Sequence, residues 1–273
     1  MLIRQNQVFP TYRNESKYIR EKYEYMKSLF PDTYVDELCK MRGYVSDDQR
    51  KLIKNMKLGY CTIPVTELQD VFGYEGKEIG FITQKDNFLL DNRFLIPVED
   101  IGGNLISLIG YYKDYKKYIT LPSNFFSKEC QFFNFRQAFE LSWKEYGGYV
   151  ILVEGIFDCL SLRAIGLPAI ATMGATVSSI KCELLKFFRK VLAIPDDDAT
   201  GHKSMDRCSY RGWKVPSTTT FLKFKGGTVD FGNGNKLKCK DMDDFVSWFD
   251  ADDVREILLS FRDSKNDFEE FVL

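Results

Sequence analysis

Between Tyr149 and Ile194 the chain reads as three short apolar runs separated by two helix-forming stretches, and few folds accept that pattern. Tyr149-Val150-Ile151-Leu152-Val153 is apolar at every position. A strand with one face in water alternates apolar and polar residues. A strand with no polar position is buried on both faces, as in a parallel sheet covered by helices. Residues 157–165 read as a helix, and Ala169-Ile170-Ala171 as a second strand. Residues 178–189 read as a second helix, with Ser178 or Ser179 as its cap, and Val191-Leu192-Ala193-Ile194 as a third strand. Strands alternating with helices give βαβ units and an α/β sheet. Gly147-Gly148, just ahead of the first strand, marks a subdomain boundary within 140–148.

Upstream the pattern is different. Residues 15–30 read as a charged helix interrupted at Pro31. Residues 34–57 read as a helix, a turn near Gly43 and a second helix that Ser46-Asp47-Asp48 can cap. Residues 65–74 look helical. Phe94-Leu95-Ile96-Pro97-Val98 is a short strand, Gly102-Gly103-Asn104 a hairpin turn, and 105–112 the returning strand. The expected fold class is α/β: an α+β N-terminal subdomain followed by a Rossmann-like α/β sheet. The expected divisions are a helical extension at 1–33, the α+β subdomain at 34–145, the α/β domain at 146–250, and an acidic helix or tail at 251–273.

Composition narrows the class of protein. Net charge is −1, so bulk charge alone does not announce a nucleic-acid binder. The charge is unevenly spread: residues 1–60 hold 12 basic against 8 acidic side chains, and residues 241–273 hold 3 against 11. No apolar run approaches the roughly 20 residues that span a bilayer, and the first residues lack a signal-peptide core. The expectation is a soluble cytoplasmic protein with no membrane partner. Seven cysteines are present, the closest two 22 residues apart, and His202 is the sole histidine. That spacing argues against a zinc ribbon or finger and for reduced, mostly buried thiols.

Acidic residues gather where such a fold binds ligands. In open α/β sheets the binding crevice lies beyond the carboxyl ends of the strands. The first strand runs into Glu154-Gly155 and the third into Pro195-Asp196-Asp197-Asp198. A further set, Lys240-Asp241-Met242-Asp243-Asp244, follows an expected strand at 237–239 and opens a helix. Hard divalent cations take oxygen ligands, and Mg²⁺ commonly takes one or two carboxylates with waters. Alternation along an extended segment puts Asp196 and Asp198 on one side, with Asp197 turned away. Each set has a plainer reading: Glu154 in a strand-end salt bridge, Asp241 and Asp243 favouring a helix N-terminus. The conjunction of three sets at strand exits favours a shared cation pocket.

At these residues the sequence resembles the Toprim domain of bacterial primases, topoisomerases and some nucleases. Val153-Glu154-Gly155-Ile156-Phe157-Asp158, then Asp196-Asp197-Asp198-Ala199-Thr200-Gly201, then Lys240-Asp241-Met242-Asp243-Asp244-Phe245 resemble the acidic motifs of DnaG-type primases. The run from Asn92 to Tyr112 resembles the strand pair of the primase core, the run from Lys116 to Asn134 its basic segment, and 34–60 its helical start. The resemblance spans roughly 34–250 in the family's order. It implies catalytic roles for Glu154, Asp158, Asp196 and Asp198, and metal binding by Glu154, Asp196, Asp198, Asp241 and Asp243. It also implies that Arg93, Lys117, Tyr118, Lys128 and Lys240 meet nucleotide or nucleic acid. The implied cofactor is Mg²⁺ or Mn²⁺, with no zinc. The implied partners are a single-stranded DNA template, ribonucleoside triphosphates and a replicative helicase or other replisome protein. The sequence departs from the family at Thr120, where Asn is usual, and at Asp197, where Gly is usual. The zinc ribbon and helicase-binding domain of the family are expected to be missing. Two rival expectations are a Toprim-type metal-dependent nuclease and a non-catalytic primase-like replisome subunit.

Overall fold

A computed structural model describes residues 5–29, 33–42, 44, 47, 50–51, 54, 58–112, 117–122, 126–174, 177–196, 218–225, 227–230, 236–266 and 268–272. The chain divides into two compact units. One comprises residues 1–39 and 53–126, the other residues 40–52 and 127–273. This division differs from the expected boundaries. The segment 40–52 clusters with the parallel-sheet unit, although more than 70 residues separate the two in the chain.

The first unit is a four-stranded antiparallel sheet. Its strands β1 (Gly59–Cys61), β2 (Arg93–Glu99), β3 (Leu105–Tyr112) and β4 (Lys117–Thr120) lie in sequence order. The long helix α1 (Gln5–Leu29) packs on this sheet. It starts well before the expected Glu15, at Gln5. Ile19, Tyr23 and Met26 recur at helical spacing and are buried against Leu95, Leu105 and Leu108 of the sheet. Burying each such side chain contributes roughly 1.5–3 kcal/mol. The region expected to be one helix at 65–74 is a 3₁₀ turn running into the short helix α3 (Leu68–Phe72), with α2 (Thr33–Arg42) preceding it in the chain. Gly73 then ends α3 at φ +59°. Helix α4 (Glu75–Ile79) follows. The expected second helix within 34–57 lies mostly outside the described residues.

The second unit is built on a five-stranded parallel sheet in the order β11-β8-β7-β5-β6. Its strands are β5 (Tyr149–Val153), β6 (Ala169–Ala171), β7 (Lys190–Ile194), β8 (Thr219–Lys225) and β11 (Phe268–Val272). All five positions of β5 are buried, as its unbroken apolar run requires. Val150 and Leu152 face one layer with Ile170, Val191 and Ala193. There they meet Phe135 and Ala138 of helix α5 (Phe135–Glu145), Leu185 of helix α7 (Ser179–Leu185), and Phe188. On Tyr149 the side chain bonds its hydroxyl to the Leu258 carbonyl of helix α9 (Ala251–Ser260) at 2.7 Å. Helix α6 (Ile156–Ala164) packs beside α8 (Met242–Trp248).

Two expectations are corrected here. The strand at 237–239 is β10 (Lys236–Lys238), and it pairs antiparallel with β9 (Thr228–Asp230) in a separate ribbon. The third acidic set therefore does not leave a strand of the parallel sheet. The C-terminal region is not simply an acidic helix or tail. After α9 the chain forms β11, which lies parallel to β8, and Phe271 stacks 6.2 Å from Phe224 and lies tilted 5.6 Å from Phe245. Those apolar contacts outweigh the local excess of acidic residues. No helix among the described residues is long and apolar enough to cross a membrane.

Candidate active site

Strand register brings the first two acidic sets together. Val153 pairs with Ile194 at the carboxyl ends of β5 and β7. Glu154 is the next residue on one strand, and Asp196 lies two residues on along its neighbour. Both are half-buried. Asp198 lies outside the described residues. Glu154 is held through its backbone: its carbonyl accepts the Met173 N–H at 3.1 Å, beyond the end of β6.

Asp158 lies in the first turn of α6, within reach of the same rim. Gly155 precedes that helix in extended geometry, and a side chain there would collide with the Asp158 carboxylate, so glycine gives the acid its room. Asp158 is 6% exposed, and its Oδ1 accepts the Asp243 N–H at 2.9 Å. Burial lifts its carboxyl well above the ordinary carboxylate range, and the charges of Asp241, Asp196 and Asp243 lift it further. That lift ties motifs from three parts of the chain to one small volume.

The third set divides its work. Asp241 caps α8, its carboxylate accepting the Asp244 N–H at 2.9 Å. Burial raises its pKa, with Asp244 and Asp243 adding to the rise and Arg42 opposing it. Asp243 has other partners. Its Oδ2 meets Arg42 Nη1 at 2.6 Å, and its Oδ1 accepts from the Tyr44 hydroxyl at 3.1 Å and from the Ser161 hydroxyl. The Arg42 guanidinium also lies 3.5 Å over the Phe157 ring. Asp243, expected to ligate metal, here has its oxygens on a guanidinium and two hydroxyls. Arg42, Tyr44 and Ser161 escaped sequence reasoning. Arg42 and Tyr44 precede Asp243 by 201 and 199 residues, so no local signal links them.

The expected nucleotide-binding residues fall into two groups. In the antiparallel unit Tyr112 pairs with Lys117 and Tyr111 with Tyr118. The Arg93 guanidinium lies 5.3 Å from the Tyr112 ring, and Tyr118 is exposed beside Tyr111 at 5.1 Å between ring centroids. The sheet thus brings Arg93, Lys117 and Tyr118 into neighbouring rows. In the parallel-sheet unit Lys128 is exposed on a turn, and Lys240 is exposed just ahead of the α8 cap, its N–H donating to Asp244 Oδ2 at 3.0 Å.

The donor chemistry fits a hard divalent cation. The charges of Asp241, Asp196 and Asp243 oppose ionisation of the buried Asp158, and a cation relieves that repulsion. Among the described residues no three His, Cys, Asp or Glu side chains form a closed metal-holding group. The described cysteines are free and buried, except Cys130, which is partly exposed.

Several known proteins are similar to this chain in sequence or in fold. The Toprim-like family matches residues 151–246. The DNA primase of Clostridium acetobutylicum is 31% identical over 187 residues, 64% of this chain and 29% of that protein. The DNA primase of Aquifex aeolicus is 32% identical over 197 residues, 66% of this chain and 38% of that protein. The chain therefore spans about a third of the length of the curated relatives it matches. Among solved structures, the zinc-binding and RNA polymerase domains of Aquifex aeolicus primase superpose with a TM-score of 0.66 at 24% identity, covering 91% of this chain and 61% of that one. A DnaG catalytic core superposes with a TM-score of 0.64 at 18% identity, covering 90% and 82%. A DnaG primase catalytic domain bound to single-stranded DNA gives the same TM-score at 16% identity, covering 90% and 80%. With the acidic motifs in the order that DnaG-type primases carry them, a Toprim-like region at 151–246, sequence similarity to bacterial DNA primases over 66% of the chain and the fold of a primase catalytic core over nine tenths of it, the chain resembles the Toprim-bearing core of the DnaG-type primases.

Proposed function

We propose that the protein is a DNA primase that makes short RNA on single-stranded DNA by metal-dependent nucleotidyl transfer. The observation that carries this reading is the convergence of carboxylates from separate motifs around Asp158 at the carboxyl rim of β5 and β7. In the reaction a 3′-hydroxyl attacks an α-phosphate and pyrophosphate leaves. Charge builds on oxygens at both ends of that displacement, so the site must supply fixed positive charge. We assign the metal ligands to Glu154, Asp196, Asp198 and Asp241, with Mg²⁺ or Mn²⁺ as the ion and no zinc. A bound divalent ion supplies electrophilic charge to the triphosphate and eases proton loss from the attacking hydroxyl. Glu154 orients that hydroxyl and receives its proton. Asp158 and Asp243 act from behind the rim: Asp158 holds the Asp243 amide, and Asp243 anchors Arg42.

Arg93, Lys117 and Tyr118 suit a surface that neutralises phosphates and stacks a base, and Lys128 and Lys240 suit phosphate contacts. The template is single-stranded DNA, a reading supported by the related catalytic domain bound to single-stranded DNA. Ribonucleoside triphosphates are the substrates, and a replicative helicase or another replisome protein is the partner.

Purified protein with Mg²⁺ or Mn²⁺, ribonucleotides and a panel of single-stranded templates is expected to yield short RNA. Asp196→Ala is expected to remove the product while leaving the thermal melt in place. Undiminished synthesis by that variant refutes the metal assignment.

A further inference from the structure

Lys181 is a buried cation that the chemistry above does not use. It is 1% exposed, and it sits in the first turn of α7. A lysine there is disfavoured twice: burial strips its hydration, and the positive end of the helix repels it. Its Nζ donates to the Thr172 carbonyl at 2.6 Å and lies 5.4 Å from the centroid of the Phe132 ring. Burial lowers its pKa to about 8, against the opposing influence of Cys130 and Glu129.

Thr172 is the first residue past β6 and the start of the turn that supports Glu154. Its N–H donates to the Val153 carbonyl at 3.0 Å, and its hydroxyl bonds the Gly174 carbonyl and approaches the Glu154 carbonyl at 3.4 Å. The next N–H, of Met173, donates to the Glu154 carbonyl at 3.1 Å. Met173 holds φ +59°, a left-handed conformation that a non-glycine residue keeps only when its surroundings impose it. From the other side the Ser178 hydroxyl caps α7 at the Lys181 N–H, 3.2 Å away, and donates to the Glu129 carbonyl. Lys181 is thus fixed at its backbone and at its tip.

We propose that Lys181 is a positioning residue: it ties helix α7 to the Thr172–Gly174 turn and, through that turn, sets the backbone of Glu154. The part of this that concerns catalysis rests on the primase reading, where Glu154 works at the rim. The hold on the turn does not.

Lys181→Met keeps the apolar stem and loses the donor, and Lys181→Gln returns an uncharged N–H donor. Amide hydrogen exchange of the full chain is the deciding measurement. In Lys181→Met the Thr172 and Met173 amides are expected to exchange about tenfold faster or more, a local opening, with Ile151 and Leu152 unchanged. Lys181→Gln is expected to recover most of the protection. Thr172 and Met173 rates matching wild type in both variants overturn the proposal, whatever happens to activity. If Lys181→Met loses protection everywhere, Lys181→Gln decides alone: protection restored at Thr172 and Met173 supports the role, and amides there that stay as exposed as in Lys181→Met overturn it. Ribonucleotide incorporation then separates the two readings. The expected result for Lys181→Met is a fall in kcat with the nucleotide KM held. A wild-type protein that incorporates nothing ends the primase reading and leaves exchange to judge Lys181.

Discussion

Replacing Arg42 with Met tests the idea that a distant ion pair holds the third acidic motif. The pair is short, 2.6 Å, and its side chains are 18% and 12% exposed. Removing the cation leaves the Asp243 carboxylate in a largely dehydrated space, with the Tyr44 and Ser161 hydroxyls as its named donors. Breaking a buried pair from one side costs about 3–5 kcal/mol. Residual solvent access favours the lower end, while loss of the guanidinium from the Phe157 face adds to it, at up to about 2 kcal/mol. A net loss of about 3 kcal/mol corresponds to a fall in Tm of roughly 6–12 °C for a unit of this size. The assay is urea unfolding by circular dichroism, repeated on Asp243→Asn and on the double variant. The double variant strands no charge, so it is expected to recover about half of the loss or more. Arg42→Met within about 0.5 kcal/mol of wild type, the range of ordinary surface changes, refutes the reasoning.

Two further outcomes follow from titrating groups. The raised Asp158 carboxyl keeps its proton in the folded state after the unfolded chain has released it, so its contribution to metal-free stability is full below about pH 4 and is lost as pH rises above that value. Asp158→Asn is expected to flatten that fall in melts recorded with a chelator, and parallel curves for the two proteins contradict it. Lys181 runs the other way. Its folded pKa is near 8, below the ordinary lysine value of 10.5, so the cost of burying it is complete below about pH 8 and disappears as pH rises toward 10.5. The displacement corresponds to about 3 kcal/mol. Denaturant midpoints from pH 7 to 10 are expected to rise in wild type and stay level in Lys181→Met. A wild-type midpoint that does not rise refutes the assignment of charge.

The elements readable in the sequence were those whose pattern is local. Tyr149–Val153 could only be a doubly covered strand, and the structure buries every position of it. The hairpin at Gly102–Asn104 and the strand Leu105–Tyr112 were equally plain. The edges of the sheet were not. Strand β11 lies in a stretch whose acidity suggests a solvated helix, and only packing of Phe271 on Phe224 and Phe245 recruits it. Likewise β10 has a strand-like sequence, but nothing in it tells whether its partner is the parallel sheet or β9.

By itself the sequence determined the acids and their order, since Glu154, Asp196 and Asp241 stand in motifs of fixed local spacing next to recognisable strands or helix starts. It also determined the covered parallel strand that carries the first of them. Only the tertiary structure decided which groups each acid meets. It set Asp243 against Arg42, and it brought the Lys181 ammonium to the Thr172 carbonyl in the turn next to Glu154. The physical reason is range. Helix and strand periodicity act over a few residues, whereas hydrogen bonds and ion pairs form between groups that folding brings together from any separation along the chain.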